Sequence, residues 1–162
     1  MKRFVLAAAA IAFALFGCKS LTETKRDFTP TAANFFIETV EPEAASVELP
    51  VSGVRIAIGS KPVFTEGDLV GVELMQVDFG KCLMFQLSPA ASRELYRLSG
   101  SNQGRRLVLM LNQKPMGARR IEAPLGEGHI LMFVEVPETA LPVLVTNLRE
   151  TADELQRALA KR

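Results

Sequence analysis

The sequence predicts an α+β domain, an antiparallel sheet with two helices packed on one face. Three observations predict it. From Asn34 onward apolar and polar residues alternate in short runs, separated by Gly, Pro and Asn. Two stretches switch to the three-to-four residue spacing of an amphipathic helix. The order is strands, a helix, more strands and a final helix, which suits a meandering sheet better than a parallel one.

Phe35-Phe36-Ile37 opens the first strand, which ends before Glu41-Pro42-Glu43. Residues 46–49 alternate and stop at Pro50, and residues 54–58 set Val54, Ile56 and Ile58 on one face and Arg55 on the other. Thr65-Glu66-Gly67-Asp68 makes a turn or a single helical turn. Residues 69–77 and 81–87 form a hairpin across Asp78-Phe79-Gly80, with Leu83, Phe85 and Leu87 as the core face. Ser88 caps the first helix and Pro89 suits its first position. Ala91, Leu95 and Leu98 form its stripe, and Gly100 ends it. Strands at 105–111 and 116–121 turn at Asn112-Gln113-Lys114-Pro115, and a last strand covers 129–136. Leu141, Leu144, Val145, Leu148, Ala152, Leu155 and Leu159 mark the longest helix, with Thr139 as its cap and Asp153 and Arg157 paired on the wet side.

With 162 residues the chain has the length of one domain. Nineteen Lys and Arg against eighteen Asp and Glu leave no bulk charge to hold a polyanion, so no nucleic-acid partner is expected. With one Tyr and no Trp, stacking platforms are also scarce. A single His, no Cys-x-x-Cys and no His-Glu-x-x-His leave no metal site and no cofactor to expect. His129 lacks a nucleophile elbow, and Gly100-Ser101-Asn102-Gln103-Gly104 lacks the Lys-Ser/Thr ending of a phosphate loop. The chain is therefore expected not to be an enzyme. The alternative is an envelope hydrolase whose carboxylates, among them Glu122, Glu127 and Glu135, converge only in the fold. Arg105, Arg106, Arg119 and Arg120 are the only basic concentration, and strand pairing around Asn112 would bring them together, either as a solvated charged edge that deters sheet-to-sheet aggregation or as a contact for an anionic partner.

Lys2 and Arg3 precede an uncharged run from Phe4 to Phe16, too short to span a bilayer but right for the apolar part of an export signal. Leu15-Phe16-Gly17-Cys18 resembles the lipobox of bacterial lipoproteins. The resemblance implies a signal peptide over 1–17, a lipidated Cys18 with a flexible tether over 18–33, and a single domain over 34–162. Several acyl chains of about 0.8 kcal/mol per buried CH₂ make a stable anchor. Lys19, in place of an aspartate, implies the outer membrane, with the domain facing the periplasm. Lipidation would leave Cys82 without a partner in the chain, either buried and inert or a free thiol.

Residues 54–136 resemble the periplasmic head of SecD, the accessory subunit of the Sec export machinery. The resemblance rests on Lys61-Pro62-Val63-Phe64, Gly67-Asp68, the hairpin into Leu83-Met84-Phe85-Gln86-Leu87, the helix from Ser88, Ser101-Asn102-Gln103-Gly104, and the strand to Leu111 with its turn at Asn112. It implies a head domain without the family's proton-coupled membrane helices. Such a domain would bind an envelope protein or an extended peptide, by offering a strand edge, in export or envelope assembly. No functional residue of the family maps onto this chain.

Overall fold

The computed structural model describes residues 27–161. It contains eight strands: β1 (Ala33–Ile37), β2 (Ala45–Glu48), β3 (Arg55–Ile58), β4 (Leu69–Val77), β5 (Gly80–Leu87), β6 (Arg106–Leu111), β7 (Lys114–Arg120) and β8 (His129–Met132). Two helices join them, α1 (Pro89–Ser101) and α2 (Leu141–Leu159), with 3₁₀ turns at Glu66–Asp68 and Glu138–Ala140.

Every strand pairing is antiparallel, as expected, but the expected single sheet is divided into β1-β6-β7, β4-β5-β8 and the hairpin β2-β3. The division falls between β7 and β8. There one main-chain bond, from the Glu135 amide to the Met116 carbonyl at 2.7 Å, stands in for a ladder.

Side-chain alternation distributes the chain between two cores. Leu107, Leu109 and Leu111 of β6 join the main core, while Val108 and Met110 point the other way. That second face is covered by Leu49, Ile56 and Ile58 of the β2-β3 unit. The main core takes Phe35 and Phe85, edge to face at 5.1 Å, with Leu83 and Leu87 of the expected core face. Ala91 and Leu95 of α1 and Leu141, Val145, Leu148 and Ala152 of α2 enter the same core, so both helices lie on the inward side of the sheets. In β4, Leu69 and Val72 both face inward despite their odd spacing, because the register slips between Leu69 and Gly71.

The helix ends follow local chemistry in part. The Ser88 hydroxyl accepts from the Ala91 amide at 3.3 Å, and Pro89 sits in the first turn. Helix α1 runs past Gly100 to Ser101, and its third buried residue is Ser99 rather than Leu98. The Ser99 hydroxyl donates to the Tyr96 carbonyl and accepts the Leu125 amide, so a polar residue is satisfied at a core position and holds the following loop. A 3₁₀ turn precedes α2, and its N-cap position is Ala140, not Thr139.

The folded part begins before Asn34. The Thr29 and Thr31 amides donate to the side chains of Asn147 and Thr151 of α2, and the Ala32 amide donates to Asn112. The tether expected up to Ala33 is therefore already fastened to the domain at Thr29. Cys18 and residues 1–17 lie outside the described residues.

Candidate functional site between two strand edges

Strands β7 and β8 belong to different sheets and run side by side where those sheets meet. At Gly117 the residue that follows β8 comes so near that a Cβ would overlap the Phe133 carbonyl. Past Gly117 they part, and the Arg119 guanidinium crosses the gap to the Leu131 carbonyl at 3.2 Å. A side chain thus occupies the place of a ladder bond. The gap opens into a groove of about 630 Å³. Phe79 at the tip of the β4-β5 hairpin and Phe133 flank it, Leu125 and Leu131 line it, and Arg119 and Arg120 supply charge. Phe79 is 91% exposed and Phe133 46%. A smaller recess of about 190 Å³ continues toward His129 and shares Arg119, Leu125 and Leu131.

The direction of the main-chain groups follows from the neighbouring bonds. The Ile121 amide donates to Arg105 at 2.9 Å, and its carbonyl accepts from Gly104 at 2.8 Å. Gly104, at φ +85°, is the left-handed residue of a bulge opposite Ile121. Ile121 therefore faces β6. Successive residues of a strand point their N–H and C=O to opposite sides. Arg120 and Ala118 thus turn theirs outward, toward the groove. On β8, the Gly128 carbonyl accepts from Leu87 of β5, so His129 and Leu131 turn theirs outward as well.

The arginines singled out in the sequence occupy three settings. Arg106 stands opposite Arg120 in the ladder, as the pairing around Asn112 requires. Glu38 claims it, through its guanidinium at 3.0 Å and its amide at 2.9 Å. Arg105 is exposed at the bulge. Only Arg119 and Arg120 line the groove. The carboxylates also take separate places. Glu122 lines the groove, Glu127 lies 3.1 Å from His129, and Glu135 accepts the Val51 and Ser52 amides at 2.7 and 3.0 Å. Burial opposes the Glu135 charge, but the Ser52 side chain and the two amides outweigh it and hold the carboxyl below the ordinary range. Among the described residues no three His, Cys, Asp or Glu come together as a metal site.

Cys82 is fully buried, on the face of β5 shared by Met84, whose partner in β8 is Leu131. Burial pushes its thiol above the ordinary value, against the pull of the nearby Arg119 charge. It is the inert form of the two readings of this cysteine. Sequence reasoning missed Phe79, Leu125, Leu131 and Phe133. A usable signal was present in Phe79, a large apolar residue in a hairpin turn.

Two antiparallel three-stranded sheets, a covering hairpin and two helices on the inward side define an α+β domain of the SecD-head type. Two solved structures share this fold. One is described as "a membrane component SecDF that enhances protein export", with a TM-score of 0.59 and 15% identity over 74% of this chain. The other is SecDF in a "super-membrane-facing form", with a TM-score of 0.60 and 16% identity over 74% of this chain. The chain spans 62% of the first structure's length and 18% of the second's. No family model matches the sequence, and no curated protein matches it. No helix of the described residues is long and apolar enough to cross a membrane.

Proposed function

We propose that this chain is a lipid-anchored protein of the bacterial envelope that binds polypeptide without catalysis, in the service of protein export or envelope assembly. Acylation of Cys18 fastens it, with Lys19 directing it to the outer membrane and the domain facing the periplasm. The groove between β7 and β8 is the binding site, and Arg119 and Arg120 are the part of the basic concentration that meets the partner. The observation that carries this reading is the pair of exposed rings, Phe79 and Phe133, beside an apolar groove with two arginines. Aromatic and Arg side chains are the residue types that anchor protein contacts. The fold shared with SecDF, a protein described as enhancing export, supports the same setting.

A photo-crosslinking residue in place of Phe133, in intact cell envelopes, tests it. Crosslinks to polypeptide should form there and not from Val40, which is 85% exposed and not part of the groove lining. Equal yields from the two positions would overturn the binding site. Cys18→Ser should move the chain from the membrane to the soluble fraction, and retention in the membrane would overturn the anchor.

A further inference from the structure

We infer that the groove takes one extended peptide strand, which adds to the outer edge of β7 at Ala118 and Arg120 and carries alternating acidic and apolar side chains. This rests on the reading of the groove as a polypeptide site and specifies what fills it.

The main chain supplies the first argument. Ala118 and Arg120 each turn an amide and a carbonyl outward, and β7 is the outermost strand of its sheet. Unpaired edge groups of this kind are a template for another strand. The edge is sealed at Met116 by the Glu135 amide and opens only beyond it. The available stretch is therefore short, matching a peptide segment rather than a long strand. Ala118 lines the groove and its small side chain packs against the second core.

Charge supplies the second argument and selects the occupant. Arg120 has no ion pair among the described residues, in contrast to Arg106, which pairs with Glu38 at 3.0 Å. A second copy of this chain pairing through β7 would set Arg119 and Arg120 against their own kind, and like charges opposed across strands are unfavourable. An acidic residue is favoured in the same place. Arg119 and Arg120 are consecutive, so their side chains leave opposite faces of β7. An added strand follows the same alternation. Its acid meets Arg120 on one face, and its apolar residues meet Leu125 and Leu131 on the Arg119 face, where those two line both recesses.

Fluorescence anisotropy with the purified full chain tests the inference. The probe is a labelled eight-residue peptide of alternating Asp and Leu. It is compared with the same peptide N-methylated on either alternate set of amides, and with Lys in place of Asp. The Asp–Leu peptide should bind, and one of the two methylated forms should bind about tenfold more weakly or worse, as expected when main-chain bonds are lost. Ala118→Pro removes an outward N–H and leaves the β6 ladder intact, so it should weaken binding to the same degree. Arg120→Glu, on an exposed side chain, should reverse the preference for Asp over Lys. Undiminished binding by both methylated forms, or a preference unmoved by Arg120→Glu, would overturn strand addition. Crosslinking from Phe133 would still stand in that case, whereas its loss would remove the underlying reading instead.

Discussion

The two edges of the β1-β6-β7 sheet meet opposite fates. On β1, the Phe35 amide donates to Phe64 at 2.8 Å, the Phe35 carbonyl accepts from Val63 at 2.7 Å, and the Ile37 carbonyl accepts from Gly59 at 3.0 Å. The segment after β3 thus closes that edge. On β7 one bond at Met116 is made, and Ala118 and Arg120 are left facing the groove. The groups at stake on both edges are main-chain amides and carbonyls. What differs is whether the chain returns alongside. Edges left open are hazards that proteins guard with charge, and the open one carries Arg119 and Arg120 whereas the closed one reads Ala-Asn-Phe-Phe-Ile. Damage to the closed edge should therefore appear as lost stability, and damage to the open edge as lost binding.

The largest expected effect is at the closed edge. Phe35→Ala removes a fully buried ring that meets Phe85 edge to face. It should cost about 3–5 kcal/mol in denaturant unfolding. A loss below about 1 kcal/mol would show that β1 is peripheral to the fold. Next comes the seal between the edges. Gly117→Ala places a methyl group against the Phe133 carbonyl, a main-chain atom that cannot swing away. A cost of about 1–3 kcal/mol is expected, and an unchanged melting temperature would show that β7 and β8 separate freely there. The smallest effect concerns the β2-β3 hairpin. Glu135→Gln weakens the hold on the Val51 and Ser52 amides and should cost about 1–2 kcal/mol at neutral pH. The folded carboxyl titrates below the unfolded one. The stabilisation is therefore complete above the unfolded value, about 4.3, and is lost as pH falls through the lower folded one. Wild type and variant should converge in acid, and a difference that persists there would place the effect in packing instead.

Much of this architecture was legible where local rules act alone. Ser88 and Pro89 start α1, residues around Asn112 turn β6 into β7, and the α2 stripe buries Leu141, Val145, Leu148 and Ala152. Leu155 of the same stripe is half-buried beside Gly67, and Leu159 is exposed, because the last turn of the helix runs beyond the core it covers. The break in the sheet was not legible, because strand pairing depends on residues far apart in sequence. It hangs on Gly117 accepting the Phe133 backbone and on β8 ending at Met132 instead of continuing to Val136. Nor did the pattern reveal Ser99 at a core position, since its burial depends on a bond to Leu125, 26 residues away. Of the four arginines, their pairing followed from the turn, but Glu38's claim on Arg106 is a tertiary contact across 68 residues. The groove arises from the same kind of contact, which explains why its two phenylalanines went unnoticed.

Strand β6 has a neighbour on each side and a packed core above and below. It offers solvent no side of its own, so water reaches its amides only after β1, β7 or the hairpin above has lifted. Deuterium should enter this strand last, and its uptake would report the global opening of the domain while the rim of the groove exchanges through local breathing.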